Sequence, residues 1–213
     1  GLAREFVKWD YELRNFLQLE TVVDRALAIA RSEPAGPVYL TLPREVLAEP
    51  HETFEYADPP RLAPNGPTVA GPDEIAATAR LLADSGNPII LSKAAGRDPR
   101  AVPALVALAE ALGAPVFEDP ARTYLNFPQD HPLHAGFDAG PHLATADAVV
   151  VVEADAPWFP ALRTPSAEAR IIQIGMDPLY SRYPVRGFPT DGALAGAPRL
   201  TLAALAAALK PLV

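Results

Sequence analysis

The chain has 213 residues, 49% of them apolar and 21% charged, which is the composition of a globular protein long enough for one good core or two small ones. Its 18 basic and 26 acidic side chains give a net charge of −8, and Lys and Arg are scattered, so the basic stripe that nucleic acid or an anionic membrane requires is missing. The lack of cysteine removes disulfides, thiolate nucleophiles and Cys-ligated zinc, and fits a reducing compartment, with the cytoplasm as the expected location.

No apolar run approaches the ~20 residues of a membrane span, and Gly1-Leu2-Ala3-Arg4-Glu5 is not the start of a signal peptide. A chain that opens without methionine reads as a trimmed piece of something longer. Proline is the unusual component, at 25 residues against the ordinary ~5%, and it punctuates without repeating.

Five large apolar groups, Phe6, Trp9, Tyr11, Phe16 and Leu17, fall in the first 20 residues, too many for a free tail. They are expected to pack on the second domain or against another copy. From Thr21 the residues Val22, Val23, Ala26, Leu27 and Ala30 follow one helix face, with Thr21 and Asp24 as a capping box, and the helix ends near Ser32. "GPVYLTLP", Gly36 to Pro43, then reads as a short buried strand. A lone strand leaves both edges unpaired, so it is expected to need neighbours that residues 1–35 do not supply.

"PPRLAPNGPTVAGP", from Pro59 to Pro72, holds prolines and glycines without periodicity, the signature of a connector. The expected division is therefore 1–58, a linker at 59–72, and a second domain at 73–213. In that domain the pattern predicts helix 73–85, strand 88–92 ("PIILS"), helix 100–112, strand 115–118 ("PVFE"), a looser stretch to Ala146, strands 148–152 ("AVVVV") and 170–174 ("RIIQI"), and helix 198–209. Strands apolar on both faces imply a parallel sheet covered by helices on each side, a Rossmann-like, doubly wound α/β domain.

Several features carry chemistry only in context. His131 and His134 have i, i+3 spacing, but Pro132 between them argues for a loop and against a metal face; His51 and His142 stand apart. "EADAPWFP" sets Glu153 and Asp155 beside Trp158 and Phe159 past a strand end, either a carboxylate pair or a solvated loop anchored by aromatics. "SRYPVRGFP" brings Arg182 and Arg186 together with Tyr183 and Phe188, near Tyr180, either an anion clamp or a loop closing over the sheet.

The segments "EFVKWDYELRNFLQLETVVDRALAIARSEPAGPVYLTLPREVL", "LLADSGNPIILSKAAGR", "ALAEALGAPVFEDPARTYLNFPQDHPLHAGF", "TADAVVVVEADAPWFP" and "IIQIGMDPLYSRYPVRGFP" together resemble thiamine diphosphate-dependent enzymes of the acetolactate synthase-like group. The first is similar to the end of that family's pyrimidine-binding domain and the others to its central domain. The resemblance implies that "GPVYLTLP" is the last strand of a domain whose earlier part lies outside this chain. It also implies an intact enzyme in which thiamine diphosphate, with magnesium, decarboxylates 2-oxo acids and joins the product to a second carbonyl.

The family's cofactor-contacting Glu and its Gly-Asp-Gly motif have no counterpart here. Thr190-Asp191-Gly192 lacks the first glycine and leaves Asp191 as a turn residue. The chain by itself is therefore expected to be catalytically silent, with the parent enzyme's remaining domains and further copies in a homo-oligomer as partners.

The resemblance further implies FAD or ADP in the central domain, with Lys93, Gly96, Arg97 and Asp177 as the residues placed to hold it. Here the pattern is broken. The phosphate turn reads Lys93-Ala94-Ala95-Gly96-Arg97, with one glycine; Glu153 stands where glycine is usual; and the first of two acidic positions is Gly175. Two other readings stay open: a free-standing module for FAD or ADP, and a purely structural domain that assembles the enzyme.

Overall fold

The computed structural model describes residues 3–213, and the chain divides between Pro67 and Thr68 into two compact units. In the first unit, Trp9 and Tyr11 alternate with Asp10 and Glu12 to make strand β1 (Trp9–Glu12). Helix α1 (Leu19–Arg31), strand β2 (Val38–Thr41) and the short helix α2 (Arg44–Leu47) follow. β1 lies parallel to β2, with Trp9 opposite Val38 and Glu12 opposite Thr41.

Residues 1–35 thus do supply one neighbour for "GPVYLTLP", contrary to expectation. The missed signal was a two-residue alternation only four residues long, written in aromatics and acids. Most of the aromatic groups also find partners inside this unit. Trp9 stacks on Tyr11 at 5.7 Å, and Phe16 stacks on His51 at 3.7 Å with Phe54 edge-on at 5.5 Å. Phe6 and Leu17 remain exposed.

α1 starts at Leu19, before the expected capping box, so Thr21 and Asp24 lie inside the helix and Gln18 precedes it without a side-chain cap. Its far end is held by Lys8, whose Nζ donates to the carbonyls of Ile29 and Ser32 at 2.7 and 2.8 Å. A cation there also faces the negative end of the helix dipole.

The second unit contains helix α3 (Pro72–Ala83), strand β3 (Pro88–Ser92), helix α4 (Ala101–Leu112), strand β4 (Val116–Glu118), the single turn α5 (Gly140–Leu143), strands β5 (Ala148–Val152), β6 (Arg170–Gly175) and β7 (Gly192–Ala195), and helix α6 (Pro198–Leu209). α3 opens with proline followed by Asp73 and Glu74, and α4 closes on Gly113 at φ 61°, each a standard terminus signal. The five strands are parallel in the order β4-β3-β5-β6-β7. β3 and β5 are buried at every residue, as central parallel strands require.

β7, which periodicity missed, is Gly-Ala-Leu-Ala, three small residues and one buried leucine. It is set in place by Asp191, which accepts the Ile171 N–H at 2.8 Å and pairs with Arg170 at 3.2 Å. Asp191 is thus a bend residue, as expected, and the edge strand begins after it at Gly192.

The two faces of the sheet are covered differently. Ile90, Val116, Val150, Val152, Ile172 and Ile174 pack with α3, α4 and α6. Ile89, Leu91, Phe117, Val149, Val151 and Ile171 pack instead against Leu143 of α5 and Trp158 of an irregular loop. Helices were expected on both faces; the second is covered mainly by non-helical chain. The irregular chain on that face carries Pro120, Pro157, Pro160 and Pro165, which break up any long helix there.

Candidate functional site

The chain runs from β3 outward to β4 and then returns to β5 on the other side of β3. Strand order therefore reverses between β3 and β5, and open α/β sheets bind ligands at the carboxyl ends of such a pair. Lys93 follows β3, Glu153 and Asp155 follow β5, and Asp177 follows β6.

The structure links Lys93 to Asp155, and Glu153 to Arg97, through opposite charges. Lys93 Nζ bonds Asp155 Oδ1 at 2.7 Å and lies 3.9 Å from Asp119. The bond to Asp155 raises the Lys93 pKa against the lowering effect of burial. Burial pushes Asp155 up, but Lys93, the Tyr183 hydroxyl at 3.0 Å and the Ala156 N–H outweigh it, so its carboxyl sits below the ordinary range. Tyr183, as donor to Asp155, is raised in turn.

Arg186 donates to the backbone carbonyls of Asp155 and Ala154 at 2.9 and 3.2 Å and to Gln173 Oε1 at 3.2 Å. Its guanidinium also lies over the rings of Tyr180 and Phe188. Of the two readings for this segment, the geometry is that of a strap closed over the strand ends. Gln173 and Asp119 carried no sequence signal; both are single polar residues at or beyond buried strands.

Glu153 is held at φ 48°, in the left-handed region where a side chain is unfavourable and glycine is at ease. Its carboxylate turns back over β6, accepts the Met176 N–H at 2.8 Å and meets Arg97 at 3.3 Å. Asp177 accepts from the backbone N–H and hydroxyl of Ser181, both at 2.8 Å.

Gly96 is buried in the turn Ala95–Arg97, and a Cβ there would run into the Leu125 carbonyl. Its N–H donates to Asn126 Oδ1 at 3.0 Å. Of the four residues expected to hold a nucleotide, Lys93 and Arg97 thus reach the crevice already paired with carboxylates. Asp177 binds its own loop, and Gly96 makes room for residues 124–126.

Beside the crevice, Glu118 is fully buried at the end of β4. It accepts from the backbone and side-chain N–H groups of Asn126 at 3.0 and 3.1 Å, pairs with Arg122 at 3.3 Å and lies 3.2 Å from His134 Nε2. Backbone bonds from Val116 to Leu133, Ala135 to Val116 and Glu118 to Gly136 seal the outer edge of β4 with the "HPLHAG" segment. His134 is therefore a structural partner, and among the described residues no cluster of three His, Cys, Asp or Glu side chains is arranged to hold a metal.

On the helix-poor face, Leu91, Phe117, Phe137, Leu143, Trp158 and Phe159 line much of a mostly apolar cavity of about 460 Å³. Trp158 is buried and Phe159 is 70% exposed, so the aromatic-anchor reading of "EADAPWFP" describes Trp158.

Residues 75–205, more than half of the chain, match the family described as "Thiamine pyrophosphate enzyme, central domain". A sulfoacetaldehyde acetyltransferase of Rhodobacter capsulatus is 36% identical over 138 residues, 64% of this chain and 22% of that protein. A protein of Methanocaldococcus jannaschii named "Probable acetolactate synthase large subunit" is 29% identical over 194 residues, 84% of this chain and 32% of its own length. The crystal structure of benzoylformate decarboxylase from Polynucleobacter necessarius superposes with a TM-score of 0.77 at 25% identity, covering 97% of this chain and 38% of that one. The chain thus spans about a third or less of the curated relatives it matches.

Proposed function

Since the chain belongs to the thiamine pyrophosphate enzymes through their central domain, we propose that it is the central part of a longer 2-oxo acid-converting enzyme, preceded by the end of the pyrimidine-binding domain. The observation that carries this reading is that likeness continues past the matched domain. The benzoylformate decarboxylase superposition covers nearly the whole chain, including the unit that ends at Pro67. Names among the relatives and structural neighbours include an acetolactate synthase and a benzoylformate decarboxylase, which supports decarboxylation and carboligation as the reaction type.

Thiamine diphosphate with magnesium supplies a nucleophilic carbon that adds to a 2-oxo acid when bound in such an enzyme. No residue of this chain is assigned to hold it. Asp191, in the stretch nearest to a diphosphate motif, is already bonded to Ile171 and Arg170.

The role of these 213 residues is to assemble and space the domains that do hold the cofactor, in a homo-oligomer. The cytoplasm is the proposed location. No described helix is long and apolar enough to cross a membrane.

The test is carbon dioxide release from pyruvate and other 2-oxo acids, with magnesium and thiamine diphosphate, by this chain and by the longer polypeptide that contains it. Release by the longer polypeptide only supports the proposal. Release by the 213-residue chain alone, or none by the longer one with any 2-oxo acid, overturns it.

A further inference from the structure

A nucleotide's phosphates at a sheet's switch point need unpaired cations, free backbone N–H groups and a backbone able to come close. In this crevice Lys93, Arg97 and the Met176 N–H are already engaged by side chains of the same chain: Lys93 is bonded to Asp155, and Arg97 and the Met176 N–H to the Glu153 carboxylate. The space above Gly96 is filled by Leu125. FAD and ADP, which the family suggests, do not fit this arrangement.

We infer that Glu153 and Asp155 are built-in anions that hold the crevice closed to phosphate. The single residue Glu153 engages a cation and a backbone N–H together, as a phosphate oxygen would at a helix or turn terminus. It does so from a left-handed backbone position that glycine would occupy without strain. Gly175 is the complementary half of the arrangement. A Cβ there would lie 3.0 Å from a Glu153 carboxylate oxygen, so any side chain at 175 would displace the carboxylate from its present position. The consequence is a central domain whose strand ends are fixed by intrachain ion pairs and held shut without a dinucleotide.

The choice of FAD and ADP as probes rests on the family assignment, but the binding result is independent of whether the longer enzyme turns over 2-oxo acids. The experiment follows the thermal midpoint of the chain and of its Glu153→Gly variant with inorganic pyrophosphate, ADP or FAD at about 1 mM. The expected result is an unchanged midpoint for the original chain. For Glu153→Gly, a rise of a few degrees with pyrophosphate and ADP is expected, abolished by adding Arg97→Met.

A rise for the original chain with ADP or FAD overturns the inference. So does a Glu153→Gly variant that keeps its circular dichroism but ignores pyrophosphate. If that variant does not fold, Asp155→Ala, which takes from Lys93 its nearer carboxylate and leaves only Asp119 at 3.9 Å, carries the same expectation and the same refutation.

Discussion

The Glu153 carboxylate lies 3.0 Å from the point where a Cβ on Gly175 would stand, so each residue limits what the other can be. Gly175→Asp puts a second carboxylate against a nearly buried one, and like charges at that range repel strongly where water is scarce. The single substitution should cost about 1–3 kcal/mol, as unpaired or crowded buried polar groups do. In a Glu153→Gly background the crowding is gone, and the cost should fall by at least about 1 kcal/mol. Urea denaturation of the four-member cycle measures this coupling; additive costs would show that the pair does not interact.

Asp155 and Lys93 give the fold opposite pH limits. Asp155 is lowered below its ordinary 3.8, so its contribution is present above that pH and lost as pH falls through the folded value. Lys93 is raised above its ordinary 10.5, so its contribution is complete below that pH and lost as pH rises through the folded value. Asp155→Asn should therefore lower stability near neutrality and flatten the acid decline. It should also return Tyr183 toward its ordinary 10, because the bond to Asp155 is the main cause of its upward shift. Denaturation midpoints from about pH 2 to pH 7 test the first effect, and tyrosinate absorbance tests the second. An acid limb as steep as that of the original chain would remove Asp155 as its source.

Much of the second unit is visible in the sequence because its strands are short apolar runs between amphipathic helices. "PIILS" and "AVVVV" stand where the pattern puts them. β1 and β7 were hidden for different reasons. The strand signal of β1 is split between aromatics and acids, while β7 is Gly-Ala-Leu-Ala, and its place depends on the contact from Asp191 to β6. The site residues were legible as types and not as partners. Lys93 and Arg97 stood out as cations, but their partners lie 62 and 56 residues away. Nothing in local spacing states that those carboxylates return to them.

Gly96 has a reason to be glycine that is steric. A methyl group there meets the carbonyl of Leu125, a backbone atom that cannot rotate aside. Gly96→Ala should then destabilise the second unit by about 1–3 kcal/mol or more, the range for forcing extra volume into packed structure. It should do so with or without added nucleotide. Thermal unfolding checks this, and an unchanged midpoint would mean that residues 124–126 are free to retreat.

Glu118 is the polar centre on which the loop after β4 depends. Its two oxygens serve Asn126, Arg122 and His134, all of them donors when His134 presents its Nε2 proton. Removing the carboxylate leaves the Arg122 charge and the Asn126 amide without their acceptor. Glu118→Ala should cost about 3–5 kcal/mol, as breaking a buried ion pair from one side does. Glu118→Gln keeps one acceptor oxygen but turns an NH₂ group toward donors, and should fall lower, at about 1–3 kcal/mol. The loss should be local before it is global, because Asn126 also receives the Gly96 N–H and the segment 133–136 is bonded along β4. Hydrogen exchange in the glutamine variant should accordingly quicken at the backbone amides of Gly96, Asn126 and position 118 before it quickens in β3 or β5. Uniform quickening across the sheet would show that Glu118 supports the whole unit equally and that the loop has no separate dependence on it.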